Sequence, residues 1–212
     1  MAEWQDALPG WAAGWLAVQG RASAVEADGV MAVPDGEHRQ PEYILAWPGS
    51  GVDGAAAVVL QQPGAVLALA TSEPEKARAY AAARGLAAVG EESLLAARTE
   101  DLDVVPALPE DAQLAEAPLE LYDVVEISVF DHPVASGRIS IQDGLAVIGG
   151  VRTRHPDDAD HLGAAVVAAL ADEAGVHGAG TLYTVLDPLD VAGYTAAGWT
   201  AVADVLRFSA PS

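Results

Sequence analysis

The chain has 212 residues, 51% of them hydrophobic, enough to bury one good core or two small ones in a globular protein. Ten Lys+Arg against 31 Asp+Glu leave a net charge of −21, which keeps such a protein soluble, repels nucleic-acid phosphates and favours cationic partners such as amines. No cysteine is present, so disulfides, thiol catalysis and zinc–thiolate sites are excluded.

The opening stretch MAEWQDALPGW lacks both a basic segment and an apolar run, so no secretion signal is expected there. The longest apolar run, LGAAVVAALA, falls far short of the ~20 residues that cross a bilayer. No membrane partner and a cytoplasmic location are therefore the expectation.

Residues 8–20, LPGWAAGWLAVQG, read as a short helix with Trp11 and Trp15 on one face as packing anchors. Residues 27–41 are rich in Gly, Pro, Asp and Glu and are expected to be loop. EYILAW (42–47) is a strand closed by Pro48, and DGAAAVVLQQ (53–62) a helix closed by Pro63-Gly64. AVLALAT (65–71) is a buried strand, and SEPEKARAYAAARG (72–85) a helix with Ser72 as cap and Gly85 at its end. LAAVGEESLLAA (86–97) returns as a strand with a bulge at Gly90. Residues 98–120, with Pro106, Pro109 and Pro118 among acidic residues, read as a linker.

DVVEISVF (123–130) is a strand followed by the turn DHP, and SGRISIQ (136–142) is the next. Asp143-Gly144 predicts a tight hairpin turn, since both central residues of a type I′ turn need positive φ. LAVIGGVRT (145–153) completes a three-strand meander, with Gly149-Gly150 marking a bulge. A helix runs from about Asp160 to Gly175, with Leu162, Ala165, Val166, Ala169 and Leu170 on one apolar face. TLYTVL (181–186) is a strand, PLDVAGYTAAG (188–198) a short helix opened by Pro188, and WTAVADVLRFS (199–209) the last strand.

The stretches AYAAARGLAAVGEESLL (79–95) and GYTAAGWTAVADVLRF (193–208) run in parallel, and strand, helix, strand, helix, strand recurs in both halves. Residues 42–97 thus read as a partial copy of 149–208, giving an N-terminal half over 1–108 and a C-terminal half over 109–212.

The order meander, bulged strand, helix, strand, short helix, strand resembles the GNAT N-acetyltransferase superfamily over about residues 109–212. Two stretches carry the likeness: VRT with its loop and LGAAVVAALADEAG, and LDPLDVAGYTAAGWTAV, where Asp187, Tyr194 and Gly198-Trp199 stand at the family's Asn, Tyr and Gly-Phe. The N-terminal half is similar to the degenerate front half of some bacterial members. The resemblance implies an α/β fold: a mixed, largely antiparallel twisted sheet with helices on both faces. It also implies acetyl-CoA, with pantetheine pairing to the backbone of Val151, Arg152 and Thr153 in a gap beside the bulged strand. A Gly-rich loop and helix N-terminus would hold the pyrophosphate at Asp158, Asp160, His161, Leu162, Gly163 and Ala164, with Asp187 also near the cofactor. Tyr194 takes the role of the acid that protonates the leaving thiolate.

One departure from the family pattern matters. Where the family has Arg/Gln-x-x-Gly-x-Gly/Ala, this chain has Asp158-Ala159-Asp160-His161-Leu162-Gly163, and only Gly163 fits. Asp160 reads as the N-cap of the helix, and Asp157 and Asp158 add favourable charge–dipole terms. The same carboxylates repel a pyrophosphate, by several kcal/mol per unit-charge pair at about 4–6 Å and an effective dielectric of ~20, before screening. On this reading the helix is capped by the protein's own carboxylates in the place of a phosphate.

His155, Asp157, Asp158, Asp160 and His161 supply metal-type donors, but ligands packed this closely in sequence rarely converge on one ion, and no metal is expected. Ser136 and Ser209 lack a nucleophile-elbow context. The sequence identifies no base for the amine; Glu126, in the meander on the opposite face from Val125, Ile127 and Val129, is a candidate without a motif behind it. Two functions remain: an acetyl-CoA-dependent N-acetyltransferase acting on a small-molecule amine or a peptide N-terminus, or a non-catalytic GNAT-fold binding or scaffold protein that has lost CoA. Either is expected as a monomer or homodimer.

Overall fold

The computed structural model describes residues 3–26, 29–34, 40–154 and 159–211. In chain order these form α1 (Glu3–Asp6), α2 (Leu8–Val18), β1 (Ser23–Glu26), β2 (Gly29–Ala32), β3 (Glu42–Ala46), α3 (Val52–Gln61), β4 (Val66–Thr71), α4 (Pro74–Ala83), β5 (Ala87–Arg98), β6 (Ala112–Pro118), β7 (Asp123–Val129), β8 (His132–Gln142), β9 (Leu145–Thr153), α5 (Ala159–Val176), β10 (Thr181–Leu186), α6 (Val191–Ala196) and β11 (Thr200–Ser209). The strands make one sheet in the order β1-β2-β3-β4-β11-β5-β10-β9-β8-β7-β6. Two neighbouring pairs are parallel, β3–β4 and β9–β10, and the rest are antiparallel. This is the mixed, largely antiparallel α/β sheet expected from the sequence.

Side-chain alternation sends every second residue of each strand to one face. On one face α2 lies across the sheet. Its Trp11 and Trp15, with Trp4, pack against Ile44, Leu94, Val147 and Tyr183. The indole Trp11 Nε1 donates to the Trp4 carbonyl at 2.9 Å, so this ring is buried with its polar atom satisfied. Gly14 makes the close approach possible: a Cβ there would come within 2.5 Å of Val147 Cγ2. On the other face α5 covers β7–β10 through Leu162, Val166 and Leu170, while α3 and α4 cover β3, β4 and β11.

Each parallel pair is joined through a helix, β3–α3–β4 and β9–α5–β10. The strand flanking each pair comes from the other part of the chain: β11 lies against β4, and β5 lies against β10. Segments 42–97 and 149–208 are therefore interleaved at the centre of the sheet, where β5 and β11 pair with each other.

Several expectations are corrected. Residues 29–32, placed in a loop by composition, form β2: Val30 and Ala32 alternate into the core under α2, and backbone pairing to β1 and β3 overrides the Gly- and acid-rich flanks. Residues 112–118, read as linker, form the edge strand β6, so the three-strand meander has four strands. Its only apolar contacts are Ala112 and Leu114, which is why the alternation is faint. The turn after β7 is Phe130-Asp131, both at positive φ (49° and 62°), and His132-Pro133 already belong to β8. Ser72 is not the cap of α4. Glu73 holds that position with Pro74 behind it, and the Thr71 hydroxyl accepts from the Glu73 amide at 2.9 Å. The Asp143-Gly144 turn, with φ of 46° and 80°, is as expected.

Candidate functional site

β9 and β10 run side by side only over Leu145–Ile148 and Thr181–Thr184. Beyond Ile148 and Thr184 both strands continue, to Thr153 and Leu186, without pairing to each other. The sequence reason is the double glycine. Between Ser136↔Arg152 and Arg138↔Gly149 the register with β8 slips, so β9 carries one extra residue there. Gly150 takes φ 61°, a left-handed conformation that costs glycine little. Beyond the bulge β9 stays paired with β8, to Ala135↔Thr153, and no longer with β10. The parallel pair β3–β4 shows the contrast: it is zipped from Glu42↔Val66 to Ala46↔Ala70, and the Trp47 amide adds a further bond to the Ala70 carbonyl at 2.8 Å. The opening belongs to β9–β10 alone.

The face of this opening towards α5 and α6 is apolar. Val151, Leu186, Val191 and Tyr194 line it, partly buried against the core that holds Leu162 and Trp199. Gly163, in the first part of α5, sits where a Cβ would lie 4.0 Å from Val151 Cγ1. Val151, Leu162, Gly163 and Tyr194 are thus brought to one face. Arg152 is exposed and, opposite Ser136, faces the α2 side, while Thr153 is half-buried opposite Ala135.

Tyr194 lies on α6 with its ring edge-on to Trp199, centroids 5.6 Å apart. Burial, with a smaller contribution from Asp190, pushes its hydroxyl up to about 12, so it remains a proton carrier at neutral pH. Asp187 ends β10, and one of its carboxylate oxygens accepts from the Leu189 amide at 2.9 Å, setting the turn that leads into α6. Pro188 lies in that turn, and the helix proper begins later than expected, after Asp190.

Asp160 is not the N-cap of α5. The helix starts at Ala159, so Asp160 lies inside the first turn, where its charge still faces the positive end of the dipole. Asp160, His161 and Ala164 are exposed. Asp158, like His155 and Asp157, lies outside the described residues.

On the α2 face of the sheet, polar groups lie on either side of the apolar core that holds Val147 and Tyr183. Arg138 reaches back from β8, its Nη1 donating to the Val18 carbonyl at 2.9 Å and its guanidinium stacking 4.6 Å over the Tyr122 ring. Glu42, only 2% exposed, is held between Arg21 and Arg207, the latter at 2.9 Å. Glu92 on β5 comes next in the row, and Leu186↔Ser93 sets it level with the end of β10. Its Oε2 is fully covered and makes no hydrogen bond. Burial raises its carboxyl above the ordinary glutamate value, Glu42 and Asp187 raise it further, and Arg207 only partly opposes them. Arg207 bonds Glu42 through Nη2, so Glu92, one strand from β10, feels that guanidinium only through space. Glu126 lies two strands from β9 and accepts a hydrogen bond from Ser128 at 3.2 Å. The sequence carries a signal for the burial of Glu92: in the strand 86–97 it shares the alternation of Leu94 and Ala96, an acid on an inward-facing row.

No protein-family model and no curated protein sequence matches the chain. Solved structures do. A GCN5-related N-acetyltransferase from Kribbella flavida is 21% identical, over 92% of this chain and 91% of that one, with a TM-score of 0.67. A second, from Sphaerobacter thermophilus, is 12% identical over 95% and 90%, with a TM-score of 0.58. A tandem GNAT protein from the clavulanic acid biosynthesis pathway is 16% identical over 86% and 79%, with a TM-score of 0.59. With its meander, bulged strand, strand opening and flanking helices, the chain has the fold of the GCN5-related N-acetyltransferases.

Proposed function

We propose that this protein is an acetyl-CoA-dependent N-acetyltransferase acting on an amine, built as a tandem GNAT arrangement of which only the C-terminal half, about residues 109–212, keeps the acyl site. The opening of β9 from β10 after Ile148 and Thr184 carries this reading. A parallel strand pair that parts leaves backbone donors and acceptors free to bind an extended amide-containing chain, and unpaired groups of this kind need partners. The slot suits pantetheine. Val151, Arg152 and Thr153 would hold it on the β9 side, with Leu162, Gly163 and Ala164 at the helix end and Asp187 beyond β10. Acetyl-CoA supplies the activated acyl group as a thioester.

The remaining chemistry belongs to side chains of this chain. Glu92, desolvated and with one carboxylate oxygen free of any hydrogen bond, takes the proton from the acceptor nitrogen. Its charge and the net −21 of the protein draw a cationic amine to the α2 side. Tyr194 Oη gives a proton to the departing sulfur, a role worth about 10²–10⁴-fold when the acid is positioned.

A second reading, a GNAT-fold binding or scaffold protein without CoA, is favoured by one observation. The first turn of α5 presents exposed Asp160 and His161 where a phosphate needs bare amides. Incubation with acetyl-CoA and a panel of small primary amines and peptide N-termini, followed by mass spectrometry of the products, separates the two. An acetylated amine supports the enzyme, and none across the panel supports the scaffold.

A further inference from the structure

Thr184 sits on β10 at the apex of the opening, opposite Ile148 as the last residue paired with β9. Alternation puts its side chain on the face of Leu182 and Leu186, towards α5 and α6. The residue is wholly buried, yet its hydroxyl has no hydrogen-bond partner. A buried hydroxyl left unmatched is unfavourable, and a valine of nearly the same shape would avoid the cost. The apolar walls above it, Val151, Leu186, Val191 and Tyr194, are only partly covered. A covered orphan donor at the point where the strands part is matched by a ligand that enters between them and brings one acceptor oxygen to it.

We propose that the Thr184 hydroxyl donates a hydrogen bond to the carbonyl oxygen of the acyl thioester at the apex of the β9–β10 opening. This rests on the acyltransferase reading above, and makes Thr184 the residue that distinguishes acyl-CoA from free CoA. Its bond strengthens as negative charge grows on that oxygen when the amine nitrogen bonds to the carbonyl carbon and the carbon–sulfur bond breaks.

The test uses the full chain, with Thr184→Val and Thr184→Ser, at high salt. Thermal unfolding without ligand and calorimetric affinities for acetyl-CoA and for CoA are measured. The wild type and Thr184→Ser should prefer acetyl-CoA to CoA. Thr184→Val should lose about fivefold of that preference, bind CoA as the wild type does, and melt at the same temperature or higher. An unchanged preference in Thr184→Val overturns the assignment, as does a lower melting temperature with the preference intact, which marks a purely structural hydroxyl. Wild type that binds neither ligand overturns the acyltransferase reading and this inference with it. Wild type that binds and acetylates while Thr184→Val retains its preference removes the Thr184 role alone.

Discussion

Ile148 and Thr184 face each other as the last register pair between β9 and β10, and one residue further on neither strand has the other as a partner. That boundary is set by the extra residue at Gly150, since a regular β9 would stay in register with β8 and keep running alongside β10. Everything assigned to the site is arranged around this point. Tyr194 and Thr184 lie on the α5–α6 face, and Glu92 lies on the α2 face.

Replacing Tyr194 by Phe removes the hydroxyl and keeps the ring against Trp199. Turnover should fall by roughly 10²–10⁴-fold while acetyl-CoA affinity stays nearly unchanged, because the proton is needed only as the carbon–sulfur bond breaks. Steady-state rates set beside calorimetric affinities check this, and equal turnover in mutant and wild type rejects the acid role.

The raised carboxyl of Glu92 makes stability depend on pH. Its folded pKa lies above the unfolded one, so the favourable contribution is complete below the unfolded value and is lost as pH rises through the folded value. Glu92→Gln should flatten this fall and leave the protein at least as stable as wild type at neutral pH. Urea midpoints across a pH series read it directly. The same variant should lower kcat/KM by at least tenfold and abolish the acidic limb of its pH profile.

Gly150 has φ 61°, and a Cβ there would approach Arg138 Cδ to 3.3 Å. Gly150→Ala should cost about 1 kcal/mol of stability, since alanine is strained at that φ and Arg138 must shift to make room. A loss in denaturant midpoint, with weakened acetyl-CoA binding as the bulge relaxes, is the expected outcome. A fully stable variant would show that the bulge does not need glycine.

Much of this was legible in the sequence because it rests on local signals. Asp143-Gly144 fixed a turn, Gly149-Gly150 fixed a bulge, and the spacing from Leu162 to Leu170 placed a helix on its apolar face. What was hidden depends on pairing across distance. β2 and β6 take their form from neighbours far along the chain, and their own residues look like loop. The exchange of β5 and β11 between the two parallel pairs has no local signature either. Glu92 acquires its character from burial first, and then from Arg207, Glu42 and Asp187, which pairing across the sheet brings around it.

The loop before α5 departs most from its family pattern, and restoring the pattern tests it. In the double variant Asp158→Arg and His161→Gly a negative charge becomes positive and backbone access reopens, so acetyl-CoA should bind more than tenfold tighter, about 1.4 kcal/mol. A small loss of thermal stability should accompany it, because glycine in the first turn of α5 is a poor helix former.

Calorimetric titration of the wild-type protein with acetyl-CoA over a series of salt concentrations tests the central claim most directly. The expected result is a single site that binds weakly at low salt and more tightly as salt rises, because screening weakens the repulsion between the loop carboxylates and the phosphates. Absence of binding at every salt concentration, in the wild type and equally in the double loop variant, would contradict it: the opening between β9 and β10 would then not be a cofactor slot.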